Sequence, residues 1–163
     1  MVRRSGPDAG GAGSLKILAV EDSPSARKVL QGVLLRLGVA LQDLRLASDS
    51  VEAMRVFSQW QPDLVFVDVE LHPSPIRAAP DGIGGAKGDP NVPVDGDELA
   101  RRLLDRAPNL HLVVVTAFDQ DHPRVKALLK GGAAEVIVKP VLASRVEEIL
   151  MRFSKDPGRP RAR

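Results

Sequence analysis

Five short, mostly apolar runs alternate with segments whose apolar residues recur at helical spacing, and this alternation limits the folds open to the chain. The runs are residues 15–20, 44–47, 64–67, 110–115 and 135–138. Short apolar runs are typical of strands buried on both faces of a parallel sheet. Strands that alternate with helices favour such a sheet with helices on both sides. The pattern therefore predicts an α/β fold built on a doubly wound, five-stranded parallel sheet.

Capping and stop residues mark the ends of the helical segments. Ser23 and Pro24 predict the start of the first helix, because Ser caps helices and Pro is favoured at the first helical position. Gly38 is the stop signal for that helix. Apolar residues recur at helical spacing within these segments; they include Val29 in the first helix and Leu142 in the last.

Composition narrows the class of protein. The 163 residues suit about one domain, and 44% hydrophobic with 27% charged residues is ordinary for a soluble protein. A net charge of +2 and only 3% aromatic residues argue against a nucleic-acid partner. The absence of cysteine excludes disulfides and thiolate chemistry. No apolar run approaches the ~18 residues of a membrane span, so we expect a cytoplasmic protein.

The chain divides into a central domain, two tails and an insert. Residues 1–13 are predicted to be disordered, and residues 14–154 form the domain. The Gly- and Pro-rich stretch at about 72–94 interrupts it between the third strand and the third helix, as a lid, a partner-binding loop or tolerated slack. Residues 155–163 form a basic tail. Its arginines could bind nucleotides or nucleic acid, but such tails are usually solvated.

Polar residues suited to one reaction follow four of the five runs. Glu21 and Asp22 follow the first, Asp68 the third, Thr116 the fourth and Lys139 the fifth. In a sheet of order 2-1-3-4-5 these four strands are neighbours, and their carboxyl ends share one crevice. Each residue alone has a plain structural explanation, such as a helix cap or a solvated lysine. Those explanations do not account for four strand ends that carry complementary groups.

This set of groups suits phosphoryl transfer to a carboxylate. A carboxylate such as Asp68 can act as the nucleophile and form an acyl phosphate. Clustered carboxylates favour a hard divalent cation such as Mg²⁺. The charge on the transferred group spreads over its oxygens, so Lys139 and the Thr116 hydroxyl could each stabilise one of them.

Five short motifs give the chain a family resemblance. They are ILAVEDSPSARKVL, PDLVFVDVEL, VDGDEL, LVVVTAF and VIVKPV. In this order they resemble the CheY-like receiver domains of response regulators in two-component signalling, over residues 15–153. The resemblance implies a flavodoxin-like (βα)5 fold. It also implies that Asp68 is the phosphoacceptor, and that Glu21, Asp22, Asp68 and the backbone carbonyl of Glu70 hold Mg²⁺.

The resemblance assigns roles to the other site residues as well. Thr116 matches the switch hydroxyl that moves to the phosphoryl group, and Ala117 is the small residue that leaves this group reachable. Lys139 matches the lysine that pairs with the acids, and the peptide before Pro140 matches one that is cis in the family.

Three features depart from the family pattern. Val136 stands where members usually carry Tyr or Phe, which puts in doubt the usual output face of the last two helices and the fifth strand. Phe118 is a candidate substitute for that aromatic. The insert adds about twenty residues beside the site. Glu70 lies two residues after Asp68, and we expect its carboxylate to change the lifetime of the acyl phosphate.

We therefore expect a stand-alone receiver, since no sequence after Phe153 remains for an output domain. It would accept a phosphoryl group on Asp68 from a histidine kinase or phosphotransfer protein and shift toward a conformer that binds an unknown downstream protein. We expect it not to be an enzyme on other substrates. The alternatives are a phosphate sink, a non-phosphorylated binding or scaffold module, and a haloacid-dehalogenase-like phosphatase. The last is disfavoured because Asp68 follows the third strand rather than the first.

Overall fold

The five strands form a single parallel sheet. The computed structural model describes residues 14–72 and 95–154. The strand order is β2-β1-β3-β4-β5, and five helices alternate with the strands in these residues. The elements are β1 (Ile17–Val20), α1 (Pro24–Arg36), β2 (Leu44–Ala47), α2 (Ser50–Trp60), β3 (Leu64–Asp68), α3 (Gly96–Arg106), β4 (His111–Thr116), α4 (Pro123–Lys130), β5 (Glu135–Val138) and α5 (Ala143–Ser154). A short 3₁₀ turn, Leu41–Asp43, precedes β2.

The predicted fold class and strand order are confirmed. Three predicted runs differ at their ends: β1 begins at Ile17 rather than at residue 15, β3 ends at Asp68 rather than at residue 67, and β4 runs from His111 to Thr116. The predicted tails, 1–13 and 155–163, lie outside the described residues, as does the insert apart from His72. The predictions made for them stay predictions.

The sheet carries an apolar layer on each face because successive strand side chains alternate in direction. Leu18, Val65 and Val114 point into a cluster with the buried residues of α2, α3 and α4. Ile17 and Phe66 point to the other side, into a cluster with α1 and α5. Burial on both faces explains why the strand sequences are almost continuously apolar.

Side-chain caps fix where three of the helices begin. The Ser23 hydroxyl accepts a hydrogen bond from the backbone N–H of Ala26 at 3.4 Å. Asp49 and Asp95 cap α2 and α3 in the same way, each at 2.9 Å. Each cap satisfies an N–H group that a helix start leaves without an intrahelical partner. The short connections after β1 and β2 are therefore set by local chemistry.

One apolar residue at helical spacing is exposed, and one residue predicted in the last helix precedes it. Val29 lies on α1 but is 56% exposed, and Leu142 is 58% exposed and precedes α5, which begins at Ala143. Both lie toward the carboxyl-end edge of the sheet, where the helices project past the strands. Gly38 ends α1 as predicted, with a φ of +93° that favours glycine.

None of the helices in residues 14–72 and 95–154 is long and apolar enough to cross a membrane.

Candidate functional site

The carboxyl ends of β1, β3, β4 and β5 form a crevice that gathers the predicted site residues. In the sheet register, Val20 pairs with Val67, Asp68 with Val115, and Thr116 with Val138. The residues that end or directly follow these strands are therefore at one level. This is the position at which open α/β sheets bind ligands.

Glu21, Asp22 and Asp68 form a cluster of carboxylates. One ligand oxygen from each lies within 4.8 Å of the others. Glu21 and Asp68 are buried, and Asp22 is half-buried. Hard oxygen donors at this separation suit a divalent cation that prefers oxygen ligands. The cluster can therefore bind a metal ion.

Within the cluster, the pKa values of Glu21 and Asp22 are shifted in opposite directions. Burial is the main cause that raises the pKa of Glu21, to about 7, and the nearby Asp68 charge adds to it. Burial also raises the pKa of Asp22, but hydrogen bonds from His72 outweigh it and the net pKa is lowered. At neutral pH the cluster thus holds one carboxyl that is only partly ionised. A bound cation would favour the ionised form of this group.

Lys139 reaches the acids from the end of β5. Its Nζ lies 2.9 Å from Asp68 Oδ2, 3.5 Å from a Glu21 oxygen and 3.9 Å from a Glu70 oxygen. Burial lowers the pKa of Lys139, but the hydrogen bond and charge of Asp68 outweigh this and the pKa is raised. Lys139 is therefore a fixed cation beside the predicted phosphoacceptor. The peptide between Lys139 and Pro140 is cis.

Thr116 lies in the crevice, but its hydroxyl is engaged elsewhere. The side chain is buried, and Oγ1 accepts the backbone N–H of Phe118 at 3.0 Å. The Thr116 carbonyl accepts the N–H of Lys139 at 2.7 Å, which ties the end of β4 to β5. In the described part of the chain, Thr116 bonds its own loop rather than a carboxylate. A role in phosphoryl binding stays a prediction.

Glu70 bonds the predicted phosphoacceptor through its backbone and the β4–α4 loop through its side chain. Its N–H donates to Asp68 Oδ1 at 2.9 Å. Its Oε2 accepts the N–H of Ala117 at 2.8 Å. The predicted role of the Glu70 carbonyl as a metal ligand stays a prediction.

Two contacts at the site were not foreseen from the sequence. Both the backbone N–H of His72, at 3.0 Å, and its Nδ1, at 2.5 Å, bond Asp22 Oδ2. Arg124 bonds Asp97 at 2.6 Å and the Val69 carbonyl at 3.4 Å, which links α4 to α3 and to the loop after β3. No motif marks either contact, because the partners are 27 to 55 residues apart in the chain.

Val136 and Phe118, which the sequence analysis linked to signal output, lie on the α2–α4 side of the sheet. Val136 is buried in the apolar cluster there. Phe118 packs against the same cluster, stacks on the His122 ring at 4.1 Å, and lies beneath the guanidinium of Arg124. Phe118 is thus part of the loop that follows Thr116, while Val136 is fixed in the core.

A cavity of about 220 Å³ opens beside Asp68. Glu21 and Lys139 line its polar end, and apolar side chains from α1 and from the residues after β5 line the rest. The exposed Val29 belongs to this lining. The site therefore has an open apolar wall next to its charged groups.

Comparisons with known proteins place the chain among signalling proteins. No family model matches it. It is 32% identical over 127 residues to a protein-glutamate methylesterase/protein-glutamine glutaminase of Myxococcus xanthus, covering 78% of this chain and 30% of that protein. It is 30% identical over 148 residues to the response regulator MprA of a Mycobacterium species (strain KMS), covering 88% of this chain and 54% of that one. It therefore spans about half, or less, of these two relatives.

A shorter relative is matched over nearly its whole length. The chain is 25% identical over 140 residues to the chemotaxis protein CheY of Thermotoga maritima, covering 86% of this chain and 98% of CheY. The receiver domain of NtrX from Brucella abortus matches with a TM-score of 0.66 and 24% identity, over 86% of this chain and 98% of that one.

A second solved structure bears on the acid cluster. It is the receiver domain of the sensor histidine kinase PA1611 from Pseudomonas aeruginosa, with a magnesium ion in its active-site cleft. It matches with a TM-score of 0.63 and 21% identity, over 86% of this chain and 98% of that one. At this identity, the likeness is one of fold. Together with the strand order and the crevice, these relatives show that the chain belongs to the CheY-like receiver-domain family of response regulators.

Proposed function

We propose that the protein is a phosphorylation-dependent switch that accepts a phosphoryl group on Asp68. The observation that carries the proposal is the placement of Asp68 between the acid cluster and Lys139. Its side chain is only 3% exposed, and its two oxygens accept hydrogen bonds from Lys139 Nζ and the Glu70 N–H, each at 2.9 Å. A buried carboxylate held in this way is positioned as a nucleophile rather than as a surface acid.

In the proposed reaction, an Asp68 oxygen attacks the phosphorus of a phosphohistidine in a histidine kinase or phosphotransfer protein. The new bond joins that oxygen to phosphorus, and the P–N bond to the donor imidazole breaks. Lys139 stabilises the charge on the transferred group. A Mg²⁺ ion held by Glu21, Asp22, Asp68 and the Glu70 carbonyl would supply further positive charge against the phosphoryl oxygens. The apolar wall of the cavity gives a protein donor a surface to dock on.

Output would follow from a population shift in the β4–α4 loop. Thr116, at the end of β4, could exchange its bond with Phe118 for one with a phosphoryl oxygen. A downstream protein would then bind the shifted conformer. We propose no turnover of any other substrate.

A phosphate sink is the second candidate. Val136 is buried in the core and is not an aromatic residue that could change position with the loop. This favours a receiver that removes phosphoryl groups from a pathway. Such a receiver would not signal to a downstream protein through a residue on β5.

The test is the intact mass of the protein after incubation with acetyl phosphate, with Mg²⁺ or with EDTA. We expect the gain of one phosphoryl group with Mg²⁺ and none with EDTA or in Asp68→Asn. Asp43→Asn, which changes an acid in the short turn before β2, is the matched control and should gain as the wild type does. The absence of any gain in the wild type would overturn the proposal and favour a scaffold module.

A further inference from the structure

We propose that the Glu70 carboxylate is an internal competitor that occupies the place of a phosphoryl oxygen until Asp68 is phosphorylated. The inference rests on the proposed function and adds a means of regulating the same site. The Glu70 carboxylate would then oppose phosphorylation of Asp68.

The first support is the set of groups around one oxygen. Glu70 Oε2 accepts the N–H of Ala117 at 2.8 Å and lies 3.9 Å from Lys139 Nζ. The same Nζ lies 2.9 Å from Asp68 Oδ2. Glu70 and the phosphoacceptor thus share one cation, and Glu70 also takes the backbone donor that follows Thr116. A carboxylate oxygen that accepts an N–H and lies 3.9 Å from an ammonium indicates that this position suits an anionic oxygen.

The second support is the way Glu70 is attached. Its N–H is bonded to Asp68 Oδ1, so its backbone keeps a fixed relation to the phosphoacceptor. Its side chain is 33% exposed and can leave the pocket by rotating into solvent. The residue is therefore fixed at its backbone and free to be displaced at its carboxylate.

The third support is the chemistry of the product. A phosphoryl group on Asp68 carries three peripheral oxygens and about two negative charges, as a serine or threonine phosphate does. Lys139 Nζ lies 2.9 Å from Asp68 and is the cation that such a group would use. Glu70 Oε2 lies 3.9 Å from this Nζ and accepts the Ala117 N–H. The phosphoryl group carries more negative charge than the Asp68 carboxylate that now shares Lys139 with Glu70, so it repels Glu70 more strongly, and we expect phosphorylation to displace the Glu70 carboxylate. Removal of that carboxylate should make the site easier to fill.

The rival explanation is that Glu70 only fastens the β4–α4 loop. A fastening role predicts that loss of the side chain loosens the loop and leaves the binding of a phosphoryl analogue unchanged or weaker. Competition predicts tighter binding. The sign of the change separates the two.

The experiment titrates the wild type, Glu70→Ala and Glu70→Gln with beryllofluoride, a tetrahedral analogue of the phosphoryl group, in the presence of Mg²⁺. Binding is followed by ¹⁹F NMR. We expect the half-saturating concentration to fall about 3- to 10-fold in Glu70→Ala and by a smaller factor in Glu70→Gln, which keeps the shape but loses the charge. Glu147→Gln, an exposed change on α5, is the charge-matched control and should bind as the wild type does.

A second measurement does not depend on the analogue. In the ligand-free protein, the amide resonance of Ala117 should move in Glu70→Ala, because that N–H loses its acceptor. An unmoved Ala117 resonance, or equal or weaker beryllofluoride binding in Glu70→Ala, would overturn the competition. If the wild type gains a phosphoryl group from acetyl phosphate but the three titrations agree, only this inference fails. If no variant binds the analogue and none gains the group, the proposed function fails together with it.

Discussion

Glu21 is the residue whose surroundings make the site most sensitive to pH. It is only 4% exposed, and burial raises its pKa from 4.5 to about 7. The folded state therefore binds a proton more tightly than the unfolded state does. Stability from this source is fully present below pH 4.5 and is lost as the pH rises through about 7. A shift of this size corresponds to at most about 3 kcal/mol.

We expect urea unfolding in EDTA to show the free energy of unfolding of the wild type falling between pH 4.5 and 7 relative to Glu21→Gln. Gln at this position cannot ionise, so the difference between the two proteins reports the ionisation of Glu21 together with its effect on the pKa values of Asp22 and Lys139. His72, whose pKa is raised by Asp22, changes both proteins alike. Parallel profiles for the two proteins would contradict the raised pKa.

At the scale of single residues, the sequence predicted which side chains meet but not how each is bonded. Asp68 and Lys139 could be assigned because each ends or follows a strand, and the order of strands brings such ends together. The bond of Thr116 to Phe118 and the hold of His72 on Asp22 could not be predicted. They depend on loop conformations and on distances of a few tenths of an ångström, which no spacing in the chain encodes.

At the scale of elements, α3 is placed against β3 by a glycine. A Cβ on Gly96 would lie 2.2 Å from the Asp68 carbonyl oxygen and 2.5 Å from the Val69 Cα. Both are backbone atoms, so the clash cannot be relieved by a rotamer change. The start of α3 can approach the end of β3 this closely only because residue 96 has no side chain.

We expect Gly96→Ala to lower the free energy of unfolding by about 3 kcal/mol, as overpacking against backbone does. Gly32→Ala in α1 is the matched control. Its added Cβ would meet only the end of the Arg36 side chain, at 4.0 Å, and alanine should raise helix stability by up to about 1 kcal/mol. Chemical denaturation measures the free energy of unfolding of both variants and of the wild type. A loss of less than about 1 kcal/mol in Gly96→Ala would show that α3 can shift without cost.

Element types and caps were predicted well because they depend on local signals. The Ser23 cap and the Gly38 stop are both where the sequence indicated. Helical spacing identified the apolar stripe that includes Val29, but it could not show how far the neighbouring strands reach along that stripe. At the site end of α1 the strands have ended, and Val29 faces the open cavity.

At the scale of the whole molecule, the described residues of the crevice include three clustered acids and one lysine, Lys139, directly after β5. This imbalance of charge should make stability depend on divalent cations, because a cation that binds only the folded state stabilises it. We expect Mg²⁺ to raise the melting temperature at constant ionic strength. At ten times the dissociation constant, the gain is about 1.4 kcal/mol.

Asp22→Asn should lose most of this gain, since Asp22 is the cluster member most open to solvent. Asp121→Asn, which changes an acid that is 93% exposed after β4, should keep it. Scanning calorimetry with Mg²⁺ and with EDTA compares the three proteins. An equal gain in all of them would show that the cation acts elsewhere.

The overall topology followed from the alternation of strands and helices, because right-handed crossovers leave few ways to wind five parallel strands. The Gly- and Pro-rich insert could be recognised but not assigned a function, since it lacks the periodicity from which structure is inferred.

The division of the core into two clusters has a consequence for how such a chain can change over generations. The strand side chains alternate, so a residue change on the α1 and α5 side alters direct side-chain contacts in that cluster and none in the other. The α2–α4 side, which includes Val136 and the loop after Thr116, can diversify on its own. Variants can thus accumulate on one face while the other stays fixed, so a new binding surface could arise without disturbing the packing beneath the opposite helices.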